Sequence, residues 1–365
     1  MGDMNLQHDI KTSSKPFVIA GPCSVENPEQ IKSVAQDLAN SGRIQLLRGG
    51  IWKPRTRPDS FEGVGAIGLP WLVEAGKAAK LPVCIEIANK HHVEVALEAG
   101  VDVLWIGART TVNPFAVQEI ADVLKGTNVP VMIKNPINPD LELWIGAFER
   151  LEKAGIADLT AIHRGFSVYK HPKYRNVPSW EIPIALRERL PHIPLICDPS
   201  HISGRRDLLL EVSQKGLDLN FDGLMIETHP HPDLAWSDAA QQVTPEALFH
   251  LLDQLVLRTA VFSKDAEKEL DEIRHKIANL DDRVFDMLSA RMQMSEDAGE
   301  LKREHNITIF QQEHWAKMKN KRLAMSENYK LTPFFIQQMM EAIHLESIRH
   351  QTKVMNPNID TPNNE

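Results

Sequence analysis

The sequence predicts an α/β protein: a (β/α)8 TIM barrel followed by a small all-α helical domain that dimerises. Three observations predict it. Between residues 16 and 256, eight short strand-like runs each lead into a stretch of helical length, the alternation expected of parallel strands joined by crossover helices. The runs are continuously apolar rather than alternating in polarity, which suits strands covered on both faces. After about residue 260 the strand runs stop, and a long amphipathic stretch without proline begins.

The first strand is PFVIAGP (16–22), β-branched and closed by Gly-Pro, and NPEQIKSVAQDLANSG supplies its helix. The other strands are IQLLRGG (44–50), PVCIEI (82–87), VDVLWIG (101–107), VPVMIKNP (129–136), LTAIHRG (159–165), IPLICDPS (193–200) and GLMIETHP (223–230). HHVEVALEAG, PFAVQEIADVL and LLLEVSQKGLDL lie between them as amphipathic helices. In TPEALFHLLDQLV, the eighth helix, Thr244 is the expected cap and Pro245 opens the first turn. The longest loops follow the second, sixth and eighth strands, where a barrel places function.

The barrel is expected over 1–260, a short charged linker over 261–268, and the helical domain over 269–353. Leu270, Ile273, Ile277, Leu280, Val284 and Leu288 recur at helical spacing on the long first helix, which runs to about residue 304. HNIT ends it. A second helix covers about 310–328, and Thr332-Pro333 starts a third. So long an apolar stripe cannot be buried by one chain, hence the expected dimer. Residues 354–365 are expected to be a disordered tail.

The composition excludes several classes. A chain of 365 residues with 42% hydrophobic and 25% charged residues is ordinary for a soluble protein. A net charge of −8 disfavours nucleic acid. No apolar run approaches the ~18 residues of a membrane helix, and MGDMNLQHDIKTSSK lacks an apolar signal core. Three scattered cysteines, Cys23, Cys84 and Cys197, make no disulfide framework, so a cytoplasmic location is expected.

Strand ends carry the chemistry. Cys23, Arg48, Arg109, Lys134, Arg164 and Glu227 end six of the runs, and PLICDPSH adds Asp198 and His201. A lone cysteine there is ordinarily a buried small hydrophobe. However, His201, Glu227 and Asp238 lie at or just beyond the seventh and eighth strands, which neighbour the first in a closed barrel. Thiol, imidazole and two carboxylates suit a divalent metal ion with an open position. Mn2+ is the first choice, and the mixed donors also admit Fe2+, Co2+ or Zn2+. Arg48, Lys53, Arg55, Arg57, Arg109, Lys134 and Arg164 add cations that are costly to enclose unless anions bind there. Metal plus two anion sites implies condensation of two small phosphorylated molecules.

GPCSVE, RGGIWKPRTRP, GARTT, IKNP, IHRG, DPSH, IETHP and SDAAQQ, in that order, resemble 3-deoxy-D-arabino-heptulosonate 7-phosphate (DAHP) synthase of type Iβ, over about residues 16–258. The resemblance implies metal-dependent condensation of phosphoenolpyruvate with erythrose 4-phosphate, the first step of the shikimate pathway. It implies Cys23, His201, Glu227 and Asp238 as metal ligands. Arg109, Lys134 and Arg164 would clamp phosphoenolpyruvate, with Arg48 and Lys53 near its carboxylate and reacting carbon. Arg55 and Thr56 would bind the phosphate of erythrose 4-phosphate, and Asp198 would sit near its hydroxyls. Glu86 would orient a water or a lysine, and Lys53 is the candidate for proton transfer. The nearest rival is 3-deoxy-D-manno-octulosonate 8-phosphate synthase, but KPRTRP favours the four-carbon sugar. A Schiff-base aldolase built on Lys134 leaves the Cys, His, Glu and Asp set unexplained.

In the helical domain, Arg291 and Lys302 are eleven residues apart and project within ~20° of one another on an ideal helix. Arg274 points ~100° away from Arg291 and could join them most simply from a partner chain. Ser347 and Gln351 are an i, i+4 pair on the last helix. Cations with a polar pair in a bundle interior suit a small dicarboxylate. IRHKIANLDDRVFDMLSARMQMSEDAGELK and ESIRHQ resemble an all-α chorismate mutase of the bacterial type. That resemblance implies an intertwined dimer and conversion of chorismate to prephenate, with Arg274, Arg291, Lys302, Ser347 and Gln351 in the site. One segment departs from the family pattern. Where Asp-x-x-Arg-Glu is usual, Gln311, His314 and Trp315 stand at the polar positions. The domain is also expected to mediate feedback by prephenate or chorismate; the alternatives are a sensor or dimeriser without turnover.

Overall fold

The computed structural model describes residues 4–54, 59–169, 173–258 and 263–357. The chain divides into two compact units, Met1–Ala260 and Val261–Glu365.

The first unit is a closed parallel barrel. Its strands are β1 (Phe17–Gly21), β2 (Leu46–Arg48), β3 (Val83–Ile87), β4 (Val103–Ile106), β5 (Val131–Lys134), β6 (Leu159–His163), β7 (Leu195–Cys197) and β8 (Gly223–Glu227). Strands β1 and β8 pair from Phe17↔Gly223 to Gly21↔Glu227 and so close the ring. The helices are α1 (Leu6–Thr12), α2 (Pro28–Asn40), α3 (Gly68–Ala79), α4 (Lys90–Ala99), α5 (Ala108–Thr111), α6 (Pro114–Leu124), α7 (Leu141–Lys153), α8 (Glu181–Arg189), α9 (Pro199–Ser203), α10 (Leu209–Asp218) and α11 (Pro245–Gln254). Thr244 caps α11 by accepting from the backbone N–H of Ala247.

Strand alternation sorts the core into two layers. Val18, Leu47, Ile85, Leu104, Ile133, Ala161, Leu195 and Leu224 pack outward with the helices. Ile19, Leu46, Cys84, Trp105, Met132, Ile162, Ile196 and Met225 fill the barrel interior. Two residues further along, the same inward parity reaches Arg48, Glu86, Lys134, Arg164, Asp198 and Glu227. One period-2 rule thus places apolar residues low in the barrel and charges at its carboxyl rim.

The sequence reading assigned no element before β1, yet α1 is there. Asn5 caps it through the N–H of His8, and the N–H groups of Leu6 and Gln7 donate to Asp158 at 2.6 and 2.9 Å. Leu6 and Ile10 join the interior cluster, so this helix of seven residues, about two turns, seals the base of the barrel. Its signal was an i, i+4 apolar pair, too short to stand out from a polar N-terminus.

The second unit is built from α12 (Lys264–Glu304), α13 (Gln312–Ala324), α14 (Ser326–Tyr329) and α15 (Pro333–Met355). Ser263 caps α12, so residues 264–268, expected as linker, instead form its first turns. Asp265 and Glu267 favour that helix start, because acidic groups complement an N-terminal dipole. Gly299 lets α15 approach closely: a Cβ there would meet Gln351 Cα at 3.2 Å. Ile273, Ile277 and Leu280 remain more than half exposed. No helix among the described residues is long and apolar enough to cross a membrane.

Candidate active sites

A cleft of about 430 Å³ opens at the carboxyl ends of the strands, lined by Lys53, Glu86, Arg109, Lys134, Arg164, Arg175, His201 and Asp238 among others. Trp105 is buried in the barrel interior against the cations. Arg48 Cζ lies 5.0 Å and Lys134 Nζ 5.5 Å from the indole centroid, while Trp105 Nε1 donates to Glu86 Oε2 at 3.0 Å. An aromatic face thus supports two buried cations. Arg109 is the second residue of α5, which Gly107 caps. Asn135 Oδ1 accepts from Arg164 N at 2.7 Å, and Asn176 Oδ1 accepts from its guanidinium at 2.6 Å. Burial lowers the Arg164 pKa to about 10, which still leaves it charged at neutral pH.

Behind the cations lie carboxylates. Lys134 Nζ donates to Asp198 Oδ2 at 2.9 Å, and Arg48 Nη2 lies 3.1 Å from Glu227 Oε1. Asp198 is fully buried and also holds His201 through its backbone N–H and Nδ1. Its carboxylate thus bridges Lys134 and His201 at the back of the cleft. Burial would raise the Asp198 pKa, but His201 and Lys134 outweigh it and hold the carboxyl well below its usual range. With Nδ1 committed to a carboxylate, His201 keeps its Nε2 lone pair for another partner. Burial is also the main cause that lowers the His201 pKa.

Cys23 Sγ donates to Asp238 Oδ2 at 3.2 Å and accepts from Lys53 Nζ at 2.9 Å. Burial, then the charge of Glu227, pushes this thiol up to about 12, so it carries its proton at neutral pH. His201 Nε2 lies 3.8 Å from Glu227 Oε1. The four donors expected to converge stand as these two pairs, and among the described residues no three His, Cys, Asp or Glu groups gather as one metal-binding cluster. Three of the four donors also contact a cation: Lys53 on the thiol, Arg48 on Glu227, and Arg175 on Asp238 at 3.0 Å. The donor set nevertheless fits a divalent ion. Glu227 Oε1 is buried with no hydrogen bond beside the uncommitted His201 Nε2. Arg48 Nε and Nη1 are likewise buried and unpartnered, as an anion site requires.

Arg55, Thr56 and Arg57 lie outside the described residues. Trp105, Arg175, Gln241 and Gln242 belong to the site but were given no role in the sequence reading. Gln241 Nε2 donates to Glu227 Oε2 at 2.7 Å, and Gln242 Oε1 accepts from Cys23 N at 2.9 Å. Inward parity on β4 could have found Trp105. Arg175 lies in the long loop after β6 and carried no register to mark it.

In the helical unit, Arg291 donates to the Ser347 hydroxyl, which donates onward to Ile343 O at 2.7 Å. Lys302 Nζ donates to Gln351 Oε1 and Ile309 O, both at 2.7 Å. These four expected residues are brought together. Arg274 is not among them: it pairs with Asp271 at 3.0 Å and is largely exposed. Of the departing residues, Trp315 stacks on His344.

A charged cleft at the carboxyl ends of eight parallel strands defines an enzyme of the TIM-barrel class. The chain belongs to the DAHP synthetase I family, which matches residues 5–260. Residues 273–352 match the chorismate mutase type II family, so a synthase barrel is followed by a mutase domain. The chain is 31% identical over 248 residues to the phospho-2-dehydro-3-deoxyheptonate aldolase of Thermotoga maritima, covering 68% of this chain and 71% of that one. It is 28% identical over 284 residues to a 2-dehydro-3-deoxyphosphooctonate aldolase of an Acidovorax species, covering 70% and 95%. A crystal structure of the Thermotoga maritima DAHP synthase superposes with a TM-score of 0.58 at 31% identity, over 65% of this chain and 67% of that one.

Proposed function

We propose that the barrel condenses phosphoenolpyruvate with erythrose 4-phosphate to give DAHP and inorganic phosphate. One observation carries this reading: cations at inward strand ends are pre-positioned by buried partners, so two anions can bind without rearrangement. Arg109, Lys134 and Arg164 clamp phosphoenolpyruvate. Arg48 turns its unpartnered Nε and Nη1 to the carboxylate. Arg55 and Thr56 take the phosphate of the sugar, and Asp198 acts by holding Lys134 and His201. Carbon 3 of phosphoenolpyruvate forms a bond to the aldehyde carbon. The aldehyde oxygen takes a proton, for which the Lys53 ammonium is the donor. Water, oriented by Glu86, adds at carbon 2, and phosphate leaves with its ester oxygen. Cys23, His201, Glu227 and Asp238 would hold a divalent ion, Mn2+ first, which when bound supplies Lewis-acid polarisation of the aldehyde.

The helical domain converts chorismate to prephenate. Arg291 and Lys302 bind the dicarboxylate and stabilise charge developing on the ether oxygen, with no covalent step. Arg274 of the partner subunit completes the site in a dimer formed through the exposed α12 stripe. Prephenate bound there slows the synthase, and the enzyme works in the cytoplasm.

The test is phosphoenolpyruvate and chorismate consumption by the full-length protein, with Arg164→Ala and Arg291→Ala. Each variant should lose one activity and keep the other. Turnover with arabinose 5-phosphate in place of erythrose 4-phosphate would instead favour octulosonate synthesis. Prephenate inhibition that survives in Arg291→Ala would remove the feedback reading.

A further inference from the structure

Trp315 and His344 stack with ring centroids 4.0 Å apart and planes 9° from parallel. Phe310 packs against the same imidazole at 5.8 Å. On α15, His344 precedes Ser347 by about one turn and Gln351 by about two. The three therefore share a face, and the other two are bonded to Arg291 and Lys302. His344 Nε2 is buried, with no hydrogen-bond partner among the described residues. A buried polar atom left unmatched inside an otherwise satisfied cluster calls for a partner. Burial, reinforced by Arg291 and Lys302, lowers the His344 pKa and so favours the uncharged imidazole. A neutral imidazole nitrogen can donate or accept a hydrogen bond. It suits an uncharged oxygen, whereas the two cations suit carboxylates.

We infer that His344, braced by Trp315, contacts the substrate of the helical site, taking the hydroxyl oxygen of the cyclic dicarboxylate held by Arg291 and Lys302. The inference rests on the chorismate reading. It also accounts for the departing segment. Gln311 and Trp315 stand where carboxylates would otherwise be expected, and α15 supplies a hydrogen-bonding group stacked on Trp315 instead. The indole then serves as backing for that group, fixing the plane of the imidazole through the stack.

The experiment uses full-length protein. Chorismate consumption is measured for wild type, His344→Ala, His344→Gln and Arg291→Ala, with synthase turnover as the check on folding. His344→Ala should lower kcat/KM at least tenfold while synthase turnover stays within twofold. His344→Gln should regain most of the loss, because its Nε2 can reach the same position. His344→Ala within twofold of wild type, while Arg291→Ala is inactive, overturns the contact but leaves the chorismate reading standing. A Gln variant as impaired as Ala also overturns it, leaving a packing role. If the wild type turns over no chorismate, the same variants are titrated with prephenate by calorimetry. Binding weakened by His344→Ala and Arg291→Ala but largely kept by His344→Gln supports the contact, and binding untouched by His344→Ala, or weakened equally by His344→Gln, overturns it. No binding at all removes the chorismate reading and the contact with it.

Discussion

Lys53 Nζ donates to Cys23 Sγ at 2.9 Å, tying the loop after β2 to the loop after β1 across the mouth of the barrel. The ammonium thus stands at the boundary between the metal-donor set and the anion cleft. Lys53→Met keeps most of the stem and removes the charge. Synthase turnover, followed by loss of phosphoenolpyruvate absorbance, should fall at least ~100-fold, the usual effect of losing a positioned proton donor. Chorismate consumption should not change.

Glu26 and His229 lie behind the donor set as a buried pair, Nε2 to Oε2 at 3.3 Å. The other Glu26 oxygen accepts from Trp236 N at 2.7 Å, two residues before Asp238. His229 Nδ1 accepts from His231 N at 2.9 Å. This arrangement fixes the loop that presents Asp238, which itself sits in a left-handed conformation at φ 48°. Removing such support typically weakens metal affinity 10–100-fold. Glu26→Gln should therefore weaken Mn2+ binding by calorimetry. A chelator should abolish synthase turnover in the wild type, and added Mn2+ should restore it.

His163 faces outward from β6 into a cage of Trp144, Phe166, Trp180 and Phe221. Burial lowers its pKa from 6.5 to about 3. Between those values the unfolded chain binds a proton that the folded barrel refuses, so stability falls as pH drops through that window. The loss should reach about 2 kcal/mol between pH 8 and pH 5. Calorimetric unfolding of wild type against His163→Phe over that range checks it: the variant should have the shallower acid slope.

Ile277 lies midway along the exposed apolar stripe of α12. Ile277→Asp should convert a dimer into a monomer in sedimentation velocity. It should also abolish chorismate turnover, since Arg274 sits apart from Arg291 and Lys302 within one chain. Synthase turnover in the same preparation should be retained. A monomeric variant with full mutase activity would remove the shared site.

The strands, the caps at Thr244 and Thr332 and the residues at the strand ends were legible in the sequence because local rules govern them. Apolar runs of strand length marked the barrel, and each run ended in the side chain that the rim displays. Helical spacing likewise brought Arg291 and Lys302 to one face. Three features were not legible. The helix Leu6–Thr12 is stabilised by Asp158, some 150 residues away, rather than by its own pattern. Inward parity places Trp105 inside the barrel, but only barrel closure sets Arg48 and Lys134 over its face. Arg175 lies in a loop with no periodicity, and only the fold brings it to Asp238.

The sequence by itself determined the order of elements, the inward parity of each strand and the chemical identity of the rim. Those follow from side-chain alternation and helical period, which are properties of neighbouring residues. Tertiary structure alone decided which rim groups pair. Lys134 takes Asp198, Arg48 takes Glu227, and Arg175 takes Asp238. It also decided that Trp315 would stack on His344. Such pairings depend on ring closure and helix packing, which bring together residues distant in the chain, and no local period encodes them.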